Sequence, residues 1–253
     1  MSLTDIIYEE RSKLEENKKE ILISTKKVLT ELKLNNVHEY FCAYCYLLWN
    51  GYFSNTKYQE YTDINIETEL DNSIDDEFTI FRGKGVCRHF AIFLNEVLNE
   101  LKIDSKKLSI RLNNHDIKTL MDIKRNIGEH EDHTIYDNGK ENHAVVLTKD
   151  NIGLYIMDPT ILCEHEVIQN NKLISFCGPY NINQEIFNKN LNRFLDKNYQ
   201  HSKECTISKE KLIQYYIEAK SKCIENKKLF EDYYKEMKPK YEKNEKILEL
   251  FLK

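Results

Sequence analysis

The chain has 253 residues, of which 41% are hydrophobic and 31% are charged, a composition typical of a globular protein. Its formal net charge of -5 argues against the strongly basic surface that a nucleic-acid partner requires. No apolar run approaches the length of a membrane-spanning helix. We therefore expect neither a nucleic-acid partner nor a membrane partner.

The cysteine content and the N-terminus indicate the compartment. Seven cysteines form an odd set without a regular disulfide framework, which favours reduced thiols. Residues 4–19 are rich in charge and contain no apolar signal-peptide core. We expect a cytoplasmic protein, with export by a route that needs no signal peptide as the open alternative.

A narrow apolar seam runs along residues 4–34, which we predict to form one long amphipathic helix. The seam residues fall seven apart: Ile7, Leu14, Ile21 and Val28. A seam of this width needs a partner, so the helix should pack on the C-terminal helices or on the core.

Residues 37–52 form a second predicted helix that is apolar on nearly every side, the pattern of a buried core helix. Cys42 and Cys45 in it match a C-x-x-C pattern, which a redox pair or half of a zinc site would also show. A core role is favoured, because the pair sits in mid-helix among aromatic residues. Cys163 and Cys177 stand alone and do not supply a second ligand pair.

A third helix is predicted to begin at Cys87 and to extend to residue 102. Its apolar stripe comprises Phe90, Leu94, Val97, Leu98 and Leu101. At a first turn the backbone N–H groups have no intrahelical partner and carry partial positive charge, which favours a thiolate at Cys87. Lys84 and Arg88 should add to that effect.

Three strands are predicted after this helix, over residues 107–112, 143–148 and 153–158. A two-residue Asp150-Asn151 turn between the last two would place His143 directly opposite Asp158, with Cβ atoms about 4.5–5.5 Å apart. A slip of one residue would instead put the two on opposite faces of the sheet.

The same register would make two further pairs, Val145 with Ile156 and Leu147 with Leu154. We expect this face of the sheet to be turned toward Cys87, because a nucleophile needs its base within about 2.6–3.2 Å.

Residues 113–142 are polar and lack apolar periodicity, which is typical of a binding or lid loop. Four adjacent metal-ligand types lie in it: His130, Glu131, Asp132 and His133. Four neighbours in a row cannot all reach one ion on regular structure, so we favour a solvated loop and predict no metal.

Two more helices are predicted at the C-terminus, over residues 184–201 and 208–252. Pro239 should kink or break the second, because proline removes a helical hydrogen bond.

Three short blocks resemble the signature blocks of the transglutaminase-like superfamily, a papain-like cysteine fold. They are Gly-Val-Cys-Arg-His-Phe-Ala at residues 85–91, Asn-His-Ala-Val at 142–145 and Asp-Pro-Thr at 158–160. The resemblance covers residues 79–160, with residues 37–53 as the preceding core helix. It implies an α+β fold in which the cysteine-bearing helix packs on a small antiparallel sheet, with long N- and C-terminal helices added.

This fold implies three segments. Residues 1–35 would be the N-terminal amphipathic helix, and residues 36–182 the transglutaminase-like catalytic core. Residues 183–253 would be a C-terminal helical extension packed on the core or on the N-terminal helix.

The resemblance also implies a catalytic triad. Cys87 would be the nucleophile, His143 the general base and acid, and Asp158 the carboxylate that orients the imidazole. The reaction would be acyl transfer at an amide of a peptide or protein through a thioester, by hydrolysis, deamidation or cross-linking, without a cofactor. His89 is closer to Cys87 in sequence, but two residues along a helix point to different faces.

The oxyanion hole implied by the resemblance consists of the backbone N–H of Cys87 and a side-chain donor from an upstream segment. Trp49 and Asn50 are the candidates for that donor.

Two other classes of function stay open. A non-catalytic binding module on the same fold would use the terminal helices to dock a protein partner or a second copy of the chain. The complete Cys, His and Asp set favours the enzyme. A metal-dependent hydrolase built on residues 130–133 ranks last.

Overall fold

The computed structural model describes residues 3–53, 57–58, 76–81, 84–85, 87–110, 143–149, 154–159, 168–169, 172–173 and 209–251. The helices in these parts are α1 (Leu3–Glu31), α2 (Val37–Trp49), α3 (Cys87–Glu100), α4 (Lys209–Glu225) and α5 (Lys227–Phe251), with a 3-10 turn at Thr79–Phe81. The strands are β1 (Lys57–Tyr58), β2 (Lys84–Gly85), β3 (Ser105–Ile110), β4 (His143–Lys149), β5 (Leu154–Met157), β6 (Ile168–Gln169) and β7 (Lys172–Leu173).

The described residues form a mostly helical structure with one small antiparallel sheet, so the predicted α+β class is confirmed at this coarse level. The sheet has the order β3-β4-β5, and two short pairs, β1 with β2 and β6 with β7, accompany it. All five helices and β4 and β5 contribute to one hydrophobic core. The division at residues 36 and 183 stays a prediction, as does the helix over 184–201, which lies outside the described residues.

α1 buries the predicted seam along most of its length. Leu14, Ile21 and Val28 are at most 4% exposed, whereas Ile7 is 46% exposed. The helix packs on α5, α3 and α2, so the N- and C-terminal helices do contact each other. The prediction is wrong at Ile7, because Leu14, the first buried residue of α1 in the described part, lies about two turns after Ile7 and about three turns after the start of the helix.

α2 is buried on nearly every side, as the sequence predicts, and both of its ends are capped. Asn36 begins the helix, since its Oδ1 accepts hydrogen bonds at 3.0 Å from the N–H groups of His38 and Glu39. Gly51 ends it in a left-handed conformation with φ 78°, and the next N–H, of Tyr52, reaches back to Leu47 O at 2.9 Å. This cap makes α2 shorter than predicted.

A buried ion pair joins α2 to α4. The Glu39 carboxylate is 1% exposed and accepts a hydrogen bond at 2.8 Å from Lys222 Nζ, with further donors from Asn35. Burial by itself raises the pKa of Glu39, but the hydrogen bonds from Lys222 and Asn35 and the charge of Lys222 outweigh it and hold that pKa below its usual value. The carboxylate is therefore charged inside the protein.

The helical C-terminus is interrupted at Asn226, and α5 is not broken at Pro239, where the sequence predicted a kink or a break. The Asn226 N–H and Nδ2 both donate to Lys222 O, at 3.1 and 2.8 Å, which ends α4. Pro239 lies inside α5. A proline in a helix costs about 3 kcal/mol, and the burial of Met237 and Tyr241 on either side of it offsets that cost.

A chain of buried hydroxyl groups connects α1 with α5. Thr25 Oγ1 lies 2.8 Å from Tyr233 OH, which lies 3.0 Å from Tyr241 OH. Tyr241 OH donates in turn to the carbonyl of Phe53. Burial raises the pKa of Tyr233 to about 12, so its hydroxyl stays protonated and available to this chain.

The sheet register differs from the prediction by two residues. β3 pairs with β4 so that Ile110 is opposite His143, and β4 pairs with β5 so that Lys149 is opposite Leu154. Four residues, 150–153, therefore connect β4 and β5 instead of the predicted two. A slip of two leaves every residue on its predicted face, because the period of a strand is two.

The individual pairs that the sequence predicted are nevertheless wrong. The observed partner of Leu147 is Ile156 and that of Val146 is Met157, so Leu147 does not face Leu154 and Val145 does not face Ile156. The longer connection shifts each residue of β5 by two residues along β4. The predicted pair of His143 with Asp158 is displaced in the same way.

α3 packs on β3 and β4, and it does so against the face that was not expected. Ala144, Val146 and Met157 belong to the core that α3 enters with Phe90 and its neighbours. Val145 and Leu147 alternate with them along β4 and point to the opposite face, where they are also buried. The expectation that the Val145 face is turned toward the helix is therefore wrong.

Two isoleucines of the same helix give a matched test of the α1 seam. We expect Ile21→Ala to lower the free energy of unfolding by about 2–4 kcal/mol, because it opens a cavity in a wholly buried site. Ile7→Ala, at an exposed position of the same seam, should change it by less than about 0.5 kcal/mol. Urea denaturation of the two variants measures both values, and equal losses would contradict the packing of α1.

The Glu39 and Lys222 pair makes stability depend on pH in a defined direction. Because the pKa of Glu39 is lower in the folded than in the unfolded chain, the stabilisation is present above about pH 4.3 and is lost as the pH falls through the folded-state pKa. We expect Lys222→Met to cost about 1–3 kcal/mol at pH 7 and less in acid, as the carboxyl takes up a proton.

Lys227→Met is the control for this prediction, because Lys227 forms an exposed pair with Glu231 at 3.3 Å. Its loss should cost less than about 1 kcal/mol. Urea denaturation at pH 3 and pH 7 measures both variants. A Lys222→Met effect that does not change with pH would contradict the assignment of a charged, buried Glu39.

Candidate functional site

The turn between α3 and β3 brings the start of the sheet back to the start of the helix. α3 ends with Lys102 in a left-handed conformation, φ 63°, and the Ile103 N–H donates to Leu98 O at 2.9 Å. Only residues 101–104 separate the two elements. A 14-residue helix is about 20 Å long and a six-residue strand about 20 Å, so β3 ends level with the first turn of α3.

This reversal brings the three predicted catalytic positions to one end of the molecule. Cys87 is the first residue of α3, and His143 is the first residue of β4, directly opposite the last residue of β3. β5 runs antiparallel to β4, and its last residue, Met157, pairs with Val146 in the middle of β4. Asp158 follows at once and is 0% exposed.

His143 and Asp158 are diagonal neighbours in the sheet rather than opposite each other. Continuing the β4–β5 register by one residue places Asp158 across from Val145, two residues from His143. Diagonal positions on one face are about 7–8 Å apart, which long and aromatic side chains can span. The two positions thus share a sheet face, with a wider separation than the sequence predicted.

Cys87 differs from the other cysteines that the structure describes. It is half-buried at the edge of the core, whereas Cys42, Cys45 and Cys223 are at most 1% exposed. Burial raises the pKa of the Cys223 thiol to about 12. The burial of Cys42 and Cys45 in the middle of α2 fits the core role that the sequence favoured for them.

The positive charge of Arg88, next to Cys87, is balanced by Asp76, a residue that the sequence patterns did not indicate. Arg88 Nε lies 2.8 Å from Asp76 Oδ1, and Arg88 Nη2 lies 3.3 Å from Nε2 of the wholly buried His89. The expectation that Arg88 favours a Cys87 thiolate therefore has to include the opposing charge of Asp76. No local spacing reveals this partner, since the two residues are twelve positions apart in the sequence.

The segment that contains Asp76 is fixed to α1. Phe78, Ile80 and Phe81 are at most 2% exposed. Lys18 Nζ donates to the carbonyl of Glu77 and to the Glu96 carboxylate on α3, so one lysine joins three elements. Burial raises the pKa of Glu96, although the charge and hydrogen bond of Lys18 act against it.

The two predicted oxyanion donors lie at the end of α2. The Asn50 side chain is exposed, and its Nδ2 donates to Tyr46 O at 2.7 Å, which gives it a role in capping α2. Trp49 is the last residue of that helix, and its side chain lies outside the described part. Their part in an oxyanion hole stays a prediction.

Metal-ligand clusters and membrane-spanning helices are the features that a metal-dependent hydrolase and a membrane-spanning protein, respectively, would require. Among the described residues, no group of three or more His, Cys, Asp or Glu side chains is arranged to hold a metal ion. Residues 130–133 lie outside this part of the chain. In the same described ranges no helix has both the length and the apolar character to cross a membrane.

Comparison of the chain with protein-family models, curated proteins and solved structures gives no match. Support for a function therefore comes from the residues and the geometry of the chain itself.

The exposure of the four described thiols leads to a prediction about reactivity. We expect iodoacetamide at neutral pH to alkylate Cys87 before any other of the seven cysteines, because a thiolate at an accessible helix start reacts while buried thiols do not. Mass spectrometry after limiting alkylation locates the modified residue, and Cys87→Ser is the control. Earlier labelling of Cys42 or Cys45 would contradict the assignment.

Proposed function

We propose that the chain is a thiol enzyme of the transglutaminase-like type, with Cys87, His143 and Asp158 as its catalytic triad. It acts on an amide of a peptide or protein in the cytoplasm and needs no cofactor. The observation that carries the proposal is the common location of the three positions, since Cys87 begins α3, His143 begins β4 and Asp158 directly follows β5, all toward the same end of the sheet.

The order of the elements supports a papain-like core. A cysteine-bearing helix is followed by three antiparallel strands, and the helix packs on two of them. The histidine begins β4 and the aspartate directly follows the neighbouring strand β5, an arrangement that a thiol enzyme can use to couple its base to an orienting carboxylate.

The reaction follows from the roles of the three groups. Cys87 Sγ attacks the amide carbonyl carbon while His143 takes up the thiol proton, and the imidazolium then protonates the leaving amine as the C–N bond breaks. The product is a thioester on Cys87. Water or an amine attacks it next, His143 accepts the proton of that attacking group, and the thiol is regenerated. Asp158 holds the imidazole in the required tautomer.

The face on which α3 packs defines where these groups have to meet. The helix covers the face of Ala144 and Val146, and the positions of His143 and Asp158 alternate with that face. The triad thus requires an arrangement around the sheet edge rather than across a sheet face.

The packing of α3 on the face of Ala144 and Val146 also favours a second candidate, a non-catalytic protein-binding module. In that case the sheet would separate Cys87 from His143, and the long helices α1, α4 and α5 would serve as a docking surface for a protein partner or a second copy of the chain. The two candidates differ in one measurable property, the transfer of an acyl group to Cys87.

Acyl transfer to Cys87 is the test of the proposed function. We expect a small activated acyl probe to form a thioester on Cys87, detected as a mass increase on its peptide. His143→Ala should slow this labelling by about 10²–10⁴-fold near neutral pH, because the base that removes the thiol proton is lost. Asp158→Ala should slow it less, since the carboxylate acts through the imidazole.

Asp104→Ala is the matched control, because Asp104 is an exposed aspartate in the α3–β3 turn of the same sheet. It should label like the unmodified chain. Circular dichroism confirms that each variant is folded. Equal labelling of His143→Ala and the unmodified chain would refute the enzyme and leave the binding module as the function to pursue.

A further inference from the structure

An ion pair ties the first turn of α3 to the segment that precedes it. Arg88 Nε and Asp76 Oδ1 are 2.8 Å apart, and the Arg88 side chain is 11% exposed against 36% for Asp76. The pair closes a loop made of residues 77–87, which ends at Cys87. Any movement of Cys87 relative to residues 76–81 therefore has to stretch this contact.

The position of Arg88 makes the pair necessary. A cation in the first turn of a helix is disfavoured, because the N-terminal end of the helix carries partial positive charge. A largely buried guanidinium also loses much of its hydration. Asp76 compensates both effects at once, since its carboxylate lies beside the guanidinium at the helix start.

The other side of the loop is anchored to α1, so the segment cannot follow α3 if the pair opens. Arg11 Nη2 lies 2.6 Å from Glu77 Oε2, and Lys18 holds the Glu77 carbonyl. Phe78 and Phe81 are buried beneath these contacts. The 76–81 segment thus serves as a fixed support, and Arg88 connects the cysteine-bearing turn to it.

We propose that Asp76 and Arg88 are positioning residues for Cys87, which fix the first turn of α3 and balance the positive charge beside the thiol. The positioning of a nucleophile rests on the proposed function, whereas the charge balance does not. A displacement of about 1 Å at a catalytic group can cost about 10²-fold in rate, so a single ion pair at this place has a measurable effect.

Several other ionisable residues lie on α3 or on the elements packed against it. They are His89 on α3, Lys18 and Lys26 on α1, Glu77 beside Asp76, Lys84 on β2, Lys106 and Lys107 on β3, and His143 on β4. These groups are the same in the variants as in the unmodified chain, so a difference in the alkylation midpoint is caused by the change at Asp76 or Arg88.

The first experiment measures the pH midpoint of Cys87 alkylation by iodoacetamide. Asp76→Asn removes a negative charge beside the guanidinium and should lower the midpoint, and Arg88→Gln removes the positive charge and should raise it. We expect each shift to be about half a pH unit. A purely structural role would move both midpoints in the same direction.

Three further variants separate charge from geometry. Asp76→Arg combined with Arg88→Asp restores a pair of opposite charges and should return the midpoint toward that of the unmodified chain. Arg88→Lys keeps the charge and should leave it nearly unchanged. Glu231→Gln, a control at the exposed Lys227–Glu231 pair of α5, should have no effect.

The second experiment measures labelling of Cys87 by the acyl probe. Asp76→Asn and Arg88→Gln should each slow it about tenfold or more, while the limiting alkylation rate at high pH changes less than about threefold, because alkylation needs only a thiolate. Charge reversal of both residues should recover part of the loss.

The two experiments fail in different ways. Absence of any acyl transfer to Cys87 in the unmodified chain refutes the proposed function, and the alkylation midpoints then still decide the role of the pair. Midpoints that stay fixed, or that move in one direction for Asp76→Asn and Arg88→Gln, overturn the proposal. If the two midpoints shift in opposite directions while the rate of acyl labelling stays unchanged, the positioning role is refuted and the charge balance is retained.

Discussion

The close reversal of the chain between α3 and β3 is the constraint on which the rest of the site depends. The left-handed Lys102 ends the helix and sends the chain back along it, and equal lengths of helix and strand return it to the level of Cys87. Every later position of the sheet is counted from that point through backbone pairing. A longer connection, or a strand shorter by two residues, would move the start of β4 away from the level of Cys87.

Much of this arrangement could be predicted from the sequence, because it depends on short-range patterns. The buried stripe of α3, the apolar surface of α2 and the short apolar strand β4 all follow from local patterns alone, and the structure has them. The register of β5 does not follow, because the four strand residues fit an apolar pattern equally well after a slip of two. The face turned toward α3 could not be predicted either, since β4 is buried on both sides, at Ala144 and Val146 as well as at Val145 and Leu147.

The other differences arise from contacts between residues far apart in the sequence. Pro239 is a strong helix-breaking signal locally, yet the burial of Tyr241 and its hydroxyl chain to Phe53 and Tyr233 holds α5 continuous through it. In the sequence Asp76 is one of several acidic residues close together, and only the structure shows that it lies beside Arg88. Patterns of spacing describe single elements well, and they contain no information about which surface each element meets.

The ion pair between Glu39 and Lys222 has a consequence for how the polypeptide holds together. α4 supplies the cation for the Glu39 carboxylate, which is buried in α2. The C-terminal helices therefore bind the rest of the chain as a separate protein partner would. A protease cut within residues 174–208 would leave two fragments with complementary charges and complementary apolar surfaces on α2 and α4. Such fragments should reassociate without a covalent link, and their affinity should weaken in acid as the Glu39 carboxylate takes up a proton.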